Sequence, residues 1–208
     1  MSNLATALGT LVLAVATFAS IRSANRSARV AERALLQNLK PVLATSRQGD
    51  PTEKLTWQDR FWARLDGGRA IARIEDDNIY LAISLRNVGA GIGVLQGWQI
   101  TVPYATSPPE HRARDEFRPQ GRDLYIAAGD TGFWQAALRD KEDEFYQPLR
   151  DAIEAREPFA VELLYSDHEG GQFAISWIGI RPLTKEGEED WLPSVARHWT
   201  LTGADPRH

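Results

Sequence analysis

Four consecutive residues, Ser166-Asp167-His168-Glu169, form the densest cluster of reactive side chains in the sequence. A hydroxyl, two carboxylates and an imidazole are the parts of a hydrolytic relay. Neighbours on an extended chain point to opposite faces, so these four cannot build a serine–histidine–aspartate relay among themselves. A metal would ask for two or three further ligands, and the remaining histidines are His111, His198 and His208. Asp-His-Glu-Gly between two apolar runs is also a strong hairpin signal. Asp167, His168 and Glu169 are therefore read as a polar surface at a loop tip, where rigid strands commonly present function. A hydrolase is the alternative, with His168 or His198 meeting carboxylates from other strands beside an apolar pocket.

Other constellations read as structure. Glycines 89, 91 and 93 in Asn87-Val-Gly-Ala-Gly-Ile-Gly miss the G-x-G-x-x-G spacing, and the segment joins two strands, with no helix N-terminus to hold a phosphate. A tight hairpin or bulge suits it. Glu75, Asp76 and Asp77 have the chemistry of a calcium site or an acid–base pair, but followed by Asn78 they read as a polar turn. Arg112, Arg114, Arg118 and Arg122 lie in a Pro-rich loop from Pro103 to Arg122. Glu110, Asp115 and Glu116 interleave with them, which argues against strong nucleic-acid affinity. The chain has no cysteine, which removes thiolate nucleophiles, disulfides and cysteine-ligated metals. No catalytic, cofactor or metal site is assigned, and the chain reads more as a binding protein than as an enzyme.

The elements that would position these residues divide the chain into three: a membrane helix over 1–21, a basic helical stalk over 22–40 and a β-rich domain over 41–208. Leu4–Ile21 is 18 residues without a charge, close to the ~20 needed to cross a ~30 Å hydrocarbon layer. Thr6, Thr10 and Thr17 can bond back to the helix backbone. A cleaved signal peptide would carry a basic start, which Met1–Asn3 lacks. The expectation is a retained, single-pass signal-anchor. Arg22, Arg26, Arg29, Arg33 and Lys40 follow, against the single acid Glu32. This cationic flank predicts the N-terminus outside and the domain in the cytoplasm. The arginines fall on one helical stripe suited to anionic lipid head groups. Ala24, Ala28, Ala31 and Leu35 form a second stripe, a candidate seam for a homo-oligomer. Net charge is −4 overall, so residues 41–208 carry −8, a balance that disfavours nucleic acid as partner.

Beyond Pro41, strand-like runs dominate, clearest at Ile79–Val88, where Ile79, Leu81, Ile83 and Leu85 alternate with polar or small residues. A helix is expected between about Asp140 and Arg156, with Phe145, Leu149, Ala152 and Ile153 on one face. A second short helix is expected near Leu192–His198. The fold class is mainly β: an antiparallel sandwich or partly open barrel with one or two short helices, preceded by the long transmembrane and stalk helix. The seven tryptophans read as core and edge-packing residues, not as a base-stacking platform.

The segments ATFASIRSANRSARVAERALL, IYLAISLRNVGAGIGVLQGW, RDLYIAAGDTGFW, LLYSDHEGG and ARHW together resemble a group of uncharacterised membrane-anchored proteins of actinobacteria. The resemblance covers most of the chain. It implies one N-terminal membrane helix and a cytoplasmic or membrane-proximal β domain, and it brings no activity and no catalytic residues. The function expected is a membrane-tethered binding or scaffolding module with an unknown protein partner. A ligand sensor signalling through the stalk is a further alternative.

Overall fold

The computed structural model describes residues 2–105, 110–183 and 190–201. The chain divides into two units, Met1–Leu39 and Lys40–His208.

The first unit is α1, Ser2–Asn38, an unbroken helix of 37 residues, about 55 Å long at 1.5 Å per residue. It stops where Lys40 precedes Pro41, since proline disfavours helical backbone in the residue before it. The Thr17 hydroxyl donates to the Leu13 carbonyl at 2.7 Å, so this threonine satisfies its polar group within the helix. Among the described residues, no helix is long and apolar enough to cross a membrane. The expected membrane helix over 1–21 falls in part on residues 1–8 and 12, whose side chains lie outside the described residues.

The second unit is mainly β and antiparallel. Its strands are β1 (Leu43–Thr45), β2 (Glu53–Thr56), β3 (Trp62–Leu65), β4 (Ala70–Glu75), β5 (Asn78–Asn87), β6 (Gly93–Thr101), β7 (Arg118–Ile126), β8 (Thr131–Leu138), β9 (Phe159–Ser166), β10 (Phe173–Pro182) and β11 (Trp191–Leu201), with one helix, α2 (Tyr146–Glu154), between β8 and β9. Nine strands form one sheet, in the order β7-β6-β9-β10-β11-β4-β5-β8. β1 continues the line of β4 along the same edge of β5: Leu85 pairs with Thr45, and Ile79 with Ile74, while both also pair with β8. β2 and β3 form a separate hairpin.

The sheet rolls onto itself. Trp98 of β6 meets Trp134 of β8 edge to face, with centroids 5.6 Å apart. Phe159 and Trp191 pack similarly at 5.5 Å. These rings belong to one core that also holds Ile79, Leu81, Ile83 and Leu85. The predicted alternation of β5 is real, but Tyr80, Ala82 and Ser84 on its other face are buried too. The β2–β3 hairpin covers that face with Leu55, Trp57, Ala63 and Leu65. On the far side of the sheet, Phe117 covers Leu164 and Ile175. Five tryptophans, at 57, 98, 134, 177 and 191, are buried, as expected of core residues.

Three local expectations are overturned. Residues 192–198 are strand, not helix: β11 pairs with β10 from Leu201 opposite Phe173 to Trp191 opposite Pro182. The open edge of β10 offers this segment a ladder, and a seven-residue helix holding Pro193 has no comparable gain. The glycine-rich segment after Asn87 is not a hairpin, because β5 and β6 do not pair; it carries the chain across the core. The long loop from Pro103 is shorter than expected. Arg114–Glu116 is a turn of 3₁₀ helix and Arg118 already opens β7. Residues 106–109 of that loop lie outside the described residues. α2 matches the predicted face, with Leu149, Ala152 and Ile153 buried.

Asn87, 0% exposed, holds the crossing together. Its Oδ1 accepts from Val42 N at 3.2 Å and Gly89 N at 3.0 Å. Its Nδ2 donates to Gly91 O at 2.7 Å and Ile126 O at 2.9 Å. Its backbone exchanges hydrogen bonds with Asp130 O and Gly129 N. One residue thus ties the entry to β1, the crossing segment, the end of β7 and the turn into β8. Asn87→Ala leaves four backbone groups without this partner, two of them on buried residues, and is expected to lower the unfolding free energy by about 3 kcal/mol. The check is the urea midpoint of the full chain; a loss below about 1 kcal/mol would mean these groups find other partners.

Candidate functional site

The glycine segment keeps nothing for a phosphate. The amides of Ala90 and Gly91 both point at the Lys40 carbonyl, at 3.1 and 3.4 Å, and Val88 N donates to Val42 O at 2.8 Å. A side chain at Gly89 would meet Val42 N at 2.4 Å and Lys40 O at 2.5 Å. Close backbone approach explains this glycine.

The Asp167-His168-Glu169 tip is a turn between β9 and β10. Asp167 is 2% exposed, and its Oδ1 accepts from Gly171 N and Gln172 N at 2.8 and 3.1 Å. Its carboxylate is committed to shaping the loop. His168 and Glu169 are exposed, 4.0 Å apart, and the described residues bring no further carboxylate or ligand to them. Glu75, Asp76 and Asp77 sit at the β4–β5 hairpin. Asp76 and Asp77 adopt positive φ of 47° and 60°, the backbone of a tight two-residue turn. Asp77 accepts from Lys141 at 2.8 Å and Arg150 at 3.0 Å. These cations hold its carboxyl below the usual range and join the hairpin to α2. Among the described residues no His, Asp or Glu cluster is arranged to hold a metal.

His198 does meet a hydroxyl. Its Nδ1 lies 2.9 Å from Ser176 Oγ, and burial of that edge, then the Lys40 ammonium, push the imidazole below its ordinary 6.5, although the residue as a whole is exposed. Ser176 is 0% exposed. Its hydroxyl lies 2.9 Å from Leu43 O and 3.2 Å from the Tyr165 hydroxyl, which in turn accepts from Leu43 N at 3.3 Å. A serine this enclosed meets no substrate. The network fastens β1 to β9, β10 and β11. No carboxylate bonds to His198 among the described residues.

A buried ion pair escapes the sequence patterns altogether. Glu162, 1% exposed, pairs by register with Gln99 and Trp177. Arg112 Nε donates to its Oε1 at 2.8 Å, and Arg112 also reaches Thr101 Oγ1 at 3.3 Å. Glu162 Oε2 and Trp177 Nε1 find no partner among the described residues. Burial pushes this carboxyl above its usual 4.5, outweighing the opposing pull of Arg112.

Two concavities stand out on the described part of this domain. The wider, about 720 Å³, lies beside β3 and the β4–β5 turn. Its floor is the Phe61–Tyr80 stack, with centroids 4.0 Å apart, and Trp62 stands 56% exposed beside it. Arg60, Arg64 and Arg73 line it and make no ion pair among the described residues. Tyr80 and Arg139 hydrogen bond to Asp59 at 2.6 and 2.9 Å. Burial raises the Asp59 carboxyl, but these bonds win and it lies below the usual range. The groove offers cations around an aromatic floor, which suits an anionic group.

The second is a cavity of about 210 Å³ at the seam where the rolled sheet brings β7 towards β8. Between Leu95 and Gly97 the β6–β7 register slips from Leu124 to Pro119, leaving the intervening β7 residues without β6 partners. Side chains bridge the seam instead. Gln120 Nε2 donates to Gln135 O at 3.4 Å, Gln135 Nε2 to Thr56 O at 3.5 Å, and Trp57 Nε1 to Ala136 O at 3.0 Å. Arg118 pins the start of β7 by pairing with both carboxylate oxygens of Asp143, Nη2 to Oδ1 at 2.8 Å, and holds that carboxyl below its usual range. Arg118 also stands over Trp98, 5.4 Å from its centroid. Trp57, Trp98, Gln58, Gln120, Gln135 and Arg139 are among the lining residues. No sequence pattern joined glutamines 58, 120 and 135, since only the rolling of the sheet makes them neighbours.

Comparison of the chain with family models, with curated proteins and with solved structures finds no match.

The buried ion pair makes a pH prediction. With its folded pKa raised, Glu162 holds a proton in the folded state over a window above 4.5 in which the unfolded chain has lost it. Stability therefore falls as pH climbs through that window. The stability of the wild type minus that of Glu162→Gln should decrease as pH rises above 4.5 in urea unfolding. A difference that rises with pH would mean that Arg112 outweighs burial.

Proposed function

We propose that this protein is a membrane-attached binding module, without catalytic chemistry of its own, in which α1 enters a lipid bilayer and the β domain presents its groove and seam to partners. The observation that carries the attachment is the surface of α1. Leu11, Leu13, Val15, Phe18 and Ile21 are 55–68% exposed. At about 100° per residue Leu11, Val15, Phe18 and Ile21 share one face about 120° wide and Leu13 lies opposite. Large apolar side chains left exposed along a helix call for an apolar surrounding. Arg22, Arg26 and Arg29 follow directly and are exposed, the order that seats an apolar segment among acyl chains and a cationic one among anionic head groups. The resemblance to membrane-anchored actinobacterial proteins points the same way. Single-pass insertion with a cytoplasmic domain, and pairing of two copies along Ala24, Ala28, Ala31 and Leu35, are the finer forms of this reading.

The β domain is best read as a partly open barrel, its opening being the seam between β7 and β8. A binding role is supported by what the domain keeps unspent: three arginines around the Phe61–Tyr80 floor that make no ion pair among the described residues. The reactive side chains, by contrast, are engaged in turns or buried. A hydrolase built on His168 or His198 needs a carboxylate that the described surroundings of His198 do not contain.

Flotation of the full chain with vesicles tests the attachment. The chain is expected to float with vesicles containing anionic lipid, and Leu13→Asp combined with Phe18→Asp should abolish flotation. Replacing Arg22, Arg26 and Arg29 with serine should weaken it by about tenfold at physiological salt, at ~1 kcal/mol or less per cation after screening. Retention after alkaline extraction marks insertion. Failure of the wild-type chain to float would overturn the proposal.

A further inference from the structure

The wider groove runs along the edge of a strand, and this deepens the binding-module reading by naming the kind of partner that fits. Six consecutive residues, 59–64, line one side of it, and residues of β4, β5 and the turn between them line the other. The β2–β3 hairpin is a separate two-stranded sheet, so β3 has a strand neighbour on one side only. Bonded and non-bonded positions alternate along an antiparallel pair. Trp57 N donates to Phe61 O at 2.9 Å. In the same register Leu55 stands opposite Ala63 and Glu53 opposite Leu65, so these are the bonded positions. Trp62 and Arg64 fall between them, and their backbone N–H and C=O groups point away from β2. Among the described residues no backbone hydrogen bond from outside the hairpin reaches them.

The edge is held in place. Leu55, Ala63 and Leu65 are buried, Trp57 Nε1 donates to Ala136 O at 3.0 Å, and Asp59 takes the Tyr80 hydroxyl at 2.6 Å and Arg139 at 2.9 Å. A fixed edge loses little freedom when a strand is added to it. The four residues of β3 span about 13 Å, enough to pair with about four residues of an incoming chain.

Charge selects that chain. Arg60, Arg64 and Arg73 line the groove and are exposed, and Lys54 Nζ stands 5.1 Å from the centre of the Trp62 ring. Asp59 is engaged with Tyr80 and Arg139, which leaves Glu75 and Asp76 at the β4–β5 turn as the other acids of the lining. Carboxylates therefore gain most beside Arg64 and Arg73, away from that turn. A second copy of β3 would set arginine against arginine, the arrangement by which charged edges resist self-pairing. A lipid head group or a small anion would leave the backbone edge without a ladder. An extended acidic segment meets both demands, amide for amide and carboxylate for guanidinium. Trp62, 56% exposed, offers its ring to an apolar side chain of the same strand.

We infer that the free edge of β3 takes up an extended acidic segment of a partner protein as a third strand, with its backbone on Trp62 and Arg64 and its carboxylates at Arg64 and Arg73.

Fluorescence anisotropy of labelled, end-capped peptides against the full chain in a neutral detergent tests this. The probes alternate glutamate with valine, threonine or tyrosine. At least one should bind one-to-one, and its glutamine counterpart should bind about tenfold more weakly. Arg64→Ser and Arg73→Ser should each weaken binding about threefold, the share of one exposed ion pair. His168→Ala, in the β9–β10 turn, should leave it unchanged. N-methylation of the glutamates, or of the residues between them, reads the ladder, because only one of the two sets faces β3. One set should weaken binding far more than the other; equal effects would mean that charge alone holds the peptide and would overturn the inference. Glu186, Glu188 and Glu189 lie outside the described residues, so a chain with all three changed to glutamine is titrated beside the wild type. No binding by either chain at ~1 mM peptide overturns the inference. So does a wild-type dimer that Arg64→Ser abolishes, which would assign the edge to a second copy, or loss of vesicle flotation on combining Arg64→Ser with Arg73→Ser, which would assign it to lipid. Flotation of the wild type reads α1 and anisotropy reads the β3 edge, so the two proposals fail separately.

Discussion

The hydrogen-bonded node at Asn87 is the constraint on which the arrangement of the β domain rests. A rolled sheet must carry its chain from one half to the other, and each crossing leaves backbone groups without a ladder. Here the residues entering β1, the segment leaving β5, the end of β7 and the turn into β8 all converge on one buried side chain. A carboxamide suits the position because it offers two acceptor sites and two donors at once. A carboxylate would face two carbonyl oxygens, and a hydrocarbon would leave four backbone groups stranded. Gly89 is required beside it because the backbone of 40–42 passes too near for any side chain.

From that node the sheet is buried from both sides. The rolled interior holds Trp98, Trp134, Phe159 and Trp191. Outside, the β2–β3 hairpin seals one half and Phe117 seals part of the other. The connection between halves through β4 and β11 is thin: one register pair, Trp191 with Ala70. Trp191 strengthens it by donating its indole N–H to Ala72 O at 3.1 Å. At the opposite margin β7 and β8 meet without a ladder, and glutamine and tryptophan side chains substitute for it.

The two units obey different rules. The β domain places its large apolar side chains inside and its reactive ones in turns. α1 does the reverse, with Leu11, Leu13, Val15, Phe18 and Ile21 exposed and its threonine hydroxyl at 17 folded back onto the helix. Arg22, Arg26 and Arg29 follow this stretch and are exposed as well.

Local pattern sufficed wherever the physics was local. The break at Pro41, the face of α2, the turn at Asp167, the hairpin at Asp76-Asp77 and the alternation of β5 follow from residue type and spacing, because backbone propensity and side-chain period act over a few residues. Segment 192–198 misled because helix and strand propensities there nearly balance, and the free edge of β10 decided between them. The crossing after Asn87 was legible as a glycine-rich break but not as a crossing, since pairing partners are chosen across the whole domain. The Arg112–Glu162 pair and the seam glutamines left no trace in spacing: Arg112 stands 50 residues from Glu162, and Gln120 and Gln135 sit on strands that never pair. The sequence alone determined a basic-flanked apolar helix followed by an antiparallel β domain free of cysteine chemistry. The tertiary structure decided which polar groups are satisfied and which are left over, because that depends on how the sheet closes.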